Sequence, residues 1–340
     1  MATTQKAIQV TPERIMQFYF GYAPTLAINA AIQNRVFDVL DEGPKTIEEV
    51  SSATGASQRG LRSIMNLLAG LQFLTKDEKG SYGLSPDTAA FLVRDKPSYI
   101  GGVFAHSCRR ILPKWLELDQ IVHSGRPTRA LNQKEEGAQF FGEFVEDLFP
   151  LNYQTAQAVV RALRLYEAKE PMRVLDLAAG SGVWGIAAAQ ASPRVQVTAV
   201  DWPEVIPVTQ RMTKRFRLED RFTFIKGDLR ETYFGENYDV AFLGHILHCE
   251  GGEQSKRLLE KTGDSLKPGG KVVIAEWVVN DDRSGPLPVL IFGANMLVNT
   301  DEGDVFSFEE ISNWLRDAGF ENPRTIDAPG PSPLIVADKA

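Results

Sequence analysis

The 340-residue sequence has few cysteines, no excess of positive charge and no long hydrophobic segment. Its two cysteines, Cys108 and Cys249, form no zinc-binding motif, which argues against a structural disulfide or a zinc cluster. The net charge of -7 gives the surface as a whole no attraction for nucleic acid or an anionic membrane. Residues 287–298 are apolar but too few to span a bilayer, and the N-terminus lacks a signal-peptide pattern. We therefore expect a cytoplasmic protein with neither a nucleic-acid partner nor a membrane partner.

Histidine is also scarce, and two of the four histidines lie close together in the sequence. His245 and His248 are three residues apart, a spacing that on a helix could supply half of a metal site. No further cluster of histidine or cysteine accompanies them. The sequence therefore predicts no metal site.

The first 100 residues are predicted to be mainly helical and to end in a β-hairpin, which is the order of a winged helix-turn-helix. Arg59 and Arg62 on the third main helix favour a DNA-binding role. The same helix also carries Leu61, Met65 and Leu68, which make it too apolar to lie in a DNA groove. The predicted helices begin at Thr11-Pro-Glu and cover residues 27–40, 45–55 and 57–71, and the predicted strands cover residues 73–76 and 81–84.

A glycine-rich turn between a predicted strand and a predicted helix is the strongest sign of a ligand site. The run Asp176-Leu-Ala-Ala-Gly-Ser-Gly-Val-Trp-Gly185 follows an apolar strand and precedes a helix-forming stretch. Glycines allow a ligand to approach the backbone closely, and the first helical turn offers unpaired N–H groups to an anion. The turn therefore predicts a site for a nucleotide-type cofactor.

Two cofactor classes compete for this turn. Gly180, Gly182 and Gly185 match the G-x-G-x-x-G pattern of dinucleotide-binding enzymes, with Asp201 at about the distance of a ribose-binding acid. Asp176 favours the other class, because a carboxylate directed into the turn attracts an ammonium group and repels a pyrophosphate. The preferred ligand is therefore one that carries a zwitterionic amino acid.

Two further strand ends continue the same site. Residues 195–201 and 222–228 read as the second and third strands, each ending in an aspartate. Asp201 could accept both ribose hydroxyls, with Trp202 beside the adenine face. Asp228 could accept from an exocyclic amine, and Leu229 offers its backbone and an apolar flank.

From about residue 173 to residue 339 the chain resembles the class I S-adenosylmethionine-dependent methyltransferases. With the N-terminal third it is similar to the small-molecule O-methyltransferases of the plant caffeate and bacterial polyketide-tailoring kind. The resemblance covers nearly the whole chain. It is carried by Asp176-x-x-x-Gly180-x-Gly182, Gly227-Asp228, Leu247-His248 and Leu266-Lys-Pro-Gly-Gly270, the last of which precedes the strand Lys271-Val-Val-Ile-Ala-Glu276.

The resemblance implies an α/β fold: a Rossmann-like methyltransferase domain with a mostly parallel seven-stranded sheet, and an N-terminal, mainly α, winged-helix dimerisation domain. It implies a homodimer, with residues 1–100 for dimerisation, 101–165 as a helical connector lining the acceptor pocket, and 166–340 for S-adenosyl-L-methionine binding. A scaffold for the dimer is then favoured over DNA binding. The residues expected to bind the cofactor are Asp176, Ala178, Gly180, Gly182, Asp201, Trp202, Asp228, Leu229 and Gly244.

His248 is the expected catalytic base, since it follows the predicted fourth strand and matches the family's Leu-His-Asp-Trp motif. Glu276 matches a catalytic glutamate that would orient it. Cys249-Glu250 replaces the usual Asp-Trp, and Val305 stands where a second acid is expected, so Asp304 is a candidate substitute. A His–Cys dyad is not expected, because adjacent helical residues point in different directions.

The predicted reaction is base-assisted, in-line methylation of a hydroxyl group on an aromatic or polyketide-like small molecule. Phe149, Asn295, Met296 and Asn299 are candidates for the wall that contacts this aromatic acceptor. The altered motif after His248 leaves open C- or N-methylation, or a non-methylating reaction that uses the same cofactor. A winged-helix DNA-binding regulator is the remote alternative.

Overall fold

The computed structural model describes residues 10–131, 134–329 and 333–340. The chain divides into two compact units, Met1–Cys108 and Arg109–Ala340. The boundaries at residues 100 and 165, which separate a dimerisation domain, a helical connector and a cofactor-binding domain, stay a proposal. The prolines at positions 329, 331 and 333 predict a turn before the last strand, but residues 330–332 lie outside the described residues.

The N-terminal unit is a group of short helices with one antiparallel hairpin, in which Leu74 pairs with Leu84. Leu61, Met65 and Leu68 lie on one face of the fifth helix and are fully buried, so its apolar stripe packs into the core of this unit. The elements are α1 (Glu13–Met16), α2 (Ala23–Gln33), α3 (Val36–Leu40), α4 (Ile47–Thr54), α5 (Gln58–Gly70), β1 (Leu74–Lys76), β2 (Tyr82–Leu84), α6 (Pro86–Phe91) and α7 (Gly101–His106).

One predicted helix of this unit is in fact two. The apolar periodicity over residues 27–40 predicts a single helix, but the structure has α2 and α3 instead, separated at Arg35. Arg35 adopts a left-handed conformation with φ 57°, which interrupts a right-handed helix. Helix α4 behaves as expected, since Thr46 and Glu49 form a capping box at its start and Gly55 ends it with φ 76°.

The second unit is built on a seven-stranded sheet covered by helices on both faces. Its elements are α8 (Leu112–Trp115), α9 (Leu118–Ser124), α10 (Lys134–Phe144), α11 (Phe149–Ala162), β3 (Met172–Leu177), α12 (Val183–Ala191), β4 (Val195–Asp201), α13 (Ile206–Arg215), β5 (Phe222–Lys226), β6 (Tyr238–Gly244), α14 (Leu247–Ser265), β7 (Leu266–Ala275), β8 (Val278–Val279), α15 (Leu287–Asn299), β9 (Phe306–Ser307), α16 (Phe308–Asp317), β10 (Phe320–Ile326) and β11 (Leu334–Lys339).

The strand order in the sheet is β10-β11-β7-β6-β3-β4-β5. Strands β7, β6, β3, β4 and β5 are parallel, whereas β11 pairs antiparallel with both β7 and β10. The inner strands are apolar and buried, with one hydrophobic cluster on each face. The structure therefore confirms the predicted α/β fold with a mostly parallel sheet.

The sheet topology determines where a ligand can bind. Strand β3 lies between β4 and β6, so successive connections leave it toward opposite sides of the sheet. Ligands of open α/β sheets bind at such a point, outside the carboxyl ends of the strands. Asp176, Asp201, Gly244 and Glu276 all lie at or directly after these strand ends. No helix in the described part of the chain is long and apolar enough to cross a membrane.

Candidate active site

The glycine-rich turn joins the end of β3 to the start of α12. Gly182 precedes the helix with φ 75°, a conformation that favours glycine. The backbone N–H of Gly185 donates to Oδ2 of Asp176 at 2.9 Å. A Cβ atom on residue 185 would lie 2.8 Å from that same oxygen, so the contact requires glycine there. The hydrogen bond ties the strand end to the helix.

Asp176 is completely buried, and its Oδ1 has no hydrogen-bond partner among the described residues. Burial raises the pKa of this carboxyl group to about 8; the hydrogen bond from Gly185 opposes this rise, and the nearby Asp201 adds a smaller contribution to it. Asp176 does not line the cleft described below, and it is protonated at neutral pH unless a positive charge comes near. Its free oxygen is the feature that an ammonium group would complete.

Asp201 lies at the end of β4 and faces the glycine turn. Its Oδ2 accepts from the N–H of Gly180 and its Oδ1 from the N–H of Trp202, both at 2.7 Å. Burial raises the pKa of Asp201 to about 6 despite these two hydrogen bonds. The carboxylate therefore organises the turn and still has lone pairs for a ligand hydroxyl.

A cleft opens over the ends of β3, β4 and β6. Of the predicted cofactor residues, only Asp176 and Gly182 are absent from its walls. The others line it: Ala178, Gly180, Asp201, Trp202, Asp228, Leu229 and Gly244. Further wall residues were not among the predicted cofactor residues: Asn152, Trp184, His245, Cys249 and Glu250. An acidic group, an aromatic ring and exposed backbone in one cleft fit a nucleoside joined to an amino acid.

His248 and Glu276 form a buried pair next to this cleft. Nδ1 of His248 donates to Oε2 of Glu276 at 2.7 Å, and the backbone N–H of His248 donates to Oε1 at 3.3 Å. Burial alone lowers the pKa of His248, but Cys249 and Glu276 outweigh it and hold that pKa well above its usual range. Burial likewise opposes ionisation of Glu276, yet His248 keeps its pKa below the ordinary value. The carboxylate thus leaves Nε2 of His248 as the nitrogen that can accept a proton.

The backbone around His248 is not a regular helix. Gly251 interrupts α14 with φ 75° and ψ 169°. A Cβ atom there would lie 2.6 Å from the carbonyl oxygen of Glu302. The backbone N–H of Asp304 donates to the carbonyl of His248 at 3.0 Å, which joins the 300–304 loop to the turn that carries the histidine.

This tight turn corrects the expectation for Cys249. Adjacent helical residues are expected to point apart, but the Cys249 side chain lies close enough to His248 to raise its pKa. The N–H of Cys249 donates to the carbonyl of Ile246, three residues earlier, so the turn is tighter than an α-helix. Glu250 also points into the cleft wall, where it pairs with Arg230 at 3.0 Å.

The carboxylate of Asp304 does not lie against the side chain of His248. Its carboxylate is half exposed and pairs with Arg283 at 3.3 Å, and only its backbone contacts His248. Val305, the residue at the expected position of the second acid, is buried among apolar side chains. Glu276 is thus the acid that the structure joins to His248.

The four candidates for the acceptor wall are placed differently from one another. Phe149 is buried in the hydrophobic core, stacked on Tyr153 and Phe216 with ring centroids 5.1 Å away in each case. Asn295, Met296 and Asn299 lie on α15. Asn299 is buried. Its Nδ2 donates to Oδ1 of Asn295 at 3.0 Å.

Phe292, an aromatic residue that the sequence did not select, contacts His248, and Trp277 packs on Phe292. The edge of the Phe292 ring meets the His248 ring with centroids 4.9 Å apart, and Phe292 stacks on Trp277 at 4.6 Å. Their sequence signal was weak, because Phe292 lies within an apolar helix and Trp277 follows a buried strand.

Comparisons with known proteins agree with this geometry. A family model for the O-methyltransferase domain matches residues 115–321, and one for the O-methyltransferase dimerisation domain matches residues 16–94. The chain is 27% identical over 337 residues to the tetracenomycin polyketide synthesis 8-O-methyl transferase of Streptomyces glaucescens, which covers 96% of this chain and 97% of the relative. It is 28% identical over 336 residues to the 3-hydroxy-5-methyl-1-naphthoate 3-O-methyltransferase of Streptomyces sahachiroi, with 97% and 96% covered.

A solved structure gives the same assignment. A protein from Nostoc punctiforme, described as a candidate O-methyltransferase, has a TM-score of 0.89 and 27% identity, with 97% of this chain and 100% of that chain covered. The match to a dimerisation domain favours a dimer scaffold over DNA binding for residues 16–94. The chain belongs to the O-methyltransferase family and is an S-adenosylmethionine-dependent methyltransferase.

Proposed function

We propose that this enzyme methylates a hydroxyl group of an aromatic or polyketide-like small molecule, with His248 as the base and Glu276 as its positioning partner. The observation that carries the proposal is the buried hydrogen bond of 2.7 Å between Nδ1 of His248 and Oε2 of Glu276. The acceptor class is supported by the polyketide and naphthoate named for the two relatives. The aromatic rings of Phe292 and Trp277 beside the base also favour it.

The cleft residues have separate tasks in this proposal. Asp201 accepts from the ribose hydroxyls of the cofactor, Trp202 covers the adenine, and Asp228 and Leu229 hold its exocyclic amine and edge. Ala178, Gly180 and Gly182 build the turn, Gly244 makes room for Trp184 and leaves its backbone in the cleft wall, and Asp176 attracts the ammonium group. When bound, S-adenosylmethionine supplies an electrophilic methyl group for attack by an oxygen nucleophile.

His248 provides the proton transfer that makes an oxygen nucleophile available. A phenol with a pKa near 10 is mostly protonated at neutral pH, so a base that removes its proton increases the rate. Nε2 of His248 accepts this proton, while Glu276 holds the ring in place and stabilises the imidazolium. Asn295, Met296 and Asn299 of α15 contribute to the acceptor wall, together with Phe292. Asp304 and Phe149 remain weaker candidates, because their side chains point elsewhere.

Substitution of the histidine tests the base. We expect His248→Asn to lower kcat on the order of 10²–10⁴-fold, because that is the usual contribution of a positioned base. S-adenosylhomocysteine should still bind when measured by calorimetry, which separates loss of the base from loss of cofactor binding. His123→Asn, on the exposed face of α9, is the matched control and should retain full activity. An undiminished kcat in His248→Asn would contradict the proposal.

The pH profile tests the role of Glu276. Since the pKa of His248 is raised, its basic form appears only as pH rises above the ordinary histidine range, so kcat should increase toward alkaline pH. Glu276→Gln removes the negative charge that favours the imidazolium, so the rise should move to lower pH and the maximal kcat should fall. A Glu276→Gln profile that coincides with that of the wild type would exclude this electrostatic role.

We also propose that the enzyme is a homodimer formed through its N-terminal unit. Residues 16–94 match a dimerisation domain, and the helical turns just before and within this region expose a run of apolar side chains. These are Ile15, Met16, Phe18, Tyr19, Phe20 and Tyr22, each more than half exposed. An exposed apolar patch of this kind marks an interaction surface.

A cytoplasmic location stays a prediction.

A further inference from the structure

His245 has an unusual set of partners at the floor of the cleft. Nδ2 of Asn152 points to the carbonyl of Leu148 at 3.5 Å, which turns the Oδ1 of Asn152 toward Nε2 of His245 at 3.1 Å. A carbonyl oxygen can only accept, so Nε2 carries the hydrogen. Nδ1 is then left with a lone pair.

That lone pair has no partner in the described part of the chain, although Nδ1 is buried. A buried acceptor without a donor costs free energy, and one that persists indicates a missing water, ion or ligand. The nitrogen is thus available to a donor or a cation.

Two further donors converge on the same point. One atom each from His245, His248 and Glu276 lie within 4.8 Å of one another. His245 and His248 have no other histidine or cysteine near them in the sequence, but the third group comes from the end of β7, 28 residues after His248. Two imidazoles and one carboxylate are a set of ligands that Zn²⁺ binds in proteins, with a fourth position open to solvent or substrate.

We propose that His245, His248 and Glu276 form a binding site for Zn²⁺, and that Zn²⁺ bound there inhibits methyl transfer. Two nitrogen ligands favour Zn²⁺ over Mg²⁺, which prefers oxygen. Asn152 serves as the outer partner that sets the tautomer of His245, as carbonyl groups do for metal-binding histidines. The inhibitory part rests on the proposed function, because the ion would occupy the imidazole and carboxylate that the base uses for its proton.

Metal binding is measured on the full-length enzyme without cofactor, after treatment with a chelator. Zn²⁺ is titrated in competition with a chromophoric chelator, and we expect one ion per chain. His245→Asn should weaken binding at least as much as loss of an outer partner does, on the order of 10–100-fold. Asn152→Ala should weaken it as well and guards against misfolding of the first variant. His123→Asn is the matched control, a histidine outside the site, and should bind Zn²⁺ as the wild type does.

Activity is measured separately with the same ion. Zn²⁺ should inhibit methyl transfer reversibly, with recovery on addition of EDTA, whereas Mg²⁺ should have no effect. The proposed site is overturned if the wild type shows no saturable binding, or if His245→Asn and Asn152→Ala both bind as tightly as the wild type. Zn²⁺ binding without inhibition would overturn the inhibitory role and also contradict His248 as the base. If Zn²⁺ does not bind, the role of His248 as the base is still tested separately by the His248→Asn substitution.

Discussion

Asp176 and Asp201 show how two identical side chains acquire different properties at the same sheet edge. Asp176 is completely buried and accepts one backbone hydrogen bond, whereas Asp201 is partly exposed and accepts two. Burial therefore raises the pKa of Asp176 to about 8 and that of Asp201 only to about 6. Since a free carboxyl group titrates near 4, each aspartate lowers the stability of the folded chain as pH rises through this window, Asp176 more than Asp201.

We expect Asp176→Asn to separate the stability of the apo enzyme from its affinity for the cofactor. An asparagine oxygen can still accept from Gly185, and it removes the cost of ionising a buried acid. The variant should therefore be at least as stable as the wild type at pH 8 in urea unfolding. If the carboxylate binds an ammonium group, affinity for S-adenosylhomocysteine should fall by about 1.5–3 kcal/mol, as measured by calorimetry.

The control for this experiment is Asp281→Asn, at an exposed position in a turn of the same unit. It should change neither the pH dependence of stability nor the affinity. Unchanged affinity in Asp176→Asn would mean that the residue only ties β3 to α12, and the contact with the ammonium group would have to be abandoned.

At the scale of residues, the sequence identified groups that depend on strand ends. Asp201, Asp228 and Gly244 follow apolar strands, and the parallel sheet brings such ends to one edge. The environment of His245 and Cys249 was not predictable in the same way. It depends on a φ of 62° at His245 and on a tight turn after it, and neither leaves a periodic signal in the sequence.

Among the elements, the turn at the start of α14 determines the position of the base. It is bounded by His245 and by Gly251, both with positive φ, and it is joined to the loop at residue 304. The strands around it were easier to predict: β4 spans Val195–Asp201 as expected from its alternating apolar pattern. A helix with a break at one glycine has the same apolar periodicity as an unbroken one, so the sequence could not reveal the interruption.

Two adjacent glycines allow a direct test of this turn. Gly251→Ala should destabilise the enzyme by about 1–2 kcal/mol, since a left-handed conformation is costly for alanine and its methyl group would meet the carbonyl of Glu302. It should also lower kcat by displacing His248. Gly252→Ala is the control: its methyl group would make only ordinary contacts with Trp314, and alanine favours a helix by about 0.5–1 kcal/mol.

Urea unfolding and kcat are measured on both variants. Gly251→Ala should lower the stability of the enzyme, whereas Gly252→Ala should raise it. Equal stability in Gly251→Ala and Gly252→Ala would show that the break does not constrain the turn. An unchanged kcat in Gly251→Ala would show that the break does not determine the position of His248.

At the scale of the whole molecule, the exposed apolar run near the N-terminus needs a second surface to cover it. The predicted helical start at Thr11-Pro-Glu corresponds to α1, and the exposed aromatic residues that follow α1 have no role in the core of the unit. The sequence pointed to a dimer only through the family resemblance, because a helix that packs on a second chain has the same apolar stripe as one that packs on its own.

We expect the double variant Phe18→Ser and Phe20→Ser to be monomeric under conditions in which the wild type is dimeric. In a twofold dimer each substitution acts twice, and four phenylalanines buried at about 1.5 kcal/mol or more each would contribute several kcal/mol to association. The dissociation constant should therefore rise more than about 100-fold, which corresponds to about 3 kcal/mol. Analytical ultracentrifugation at several concentrations measures it. Tyr233→Ser, which removes an equally exposed aromatic residue of the other unit, should leave the dimer intact. If the double variant sediments as the wild type does, this run is not the dimer interface and another surface must cover it.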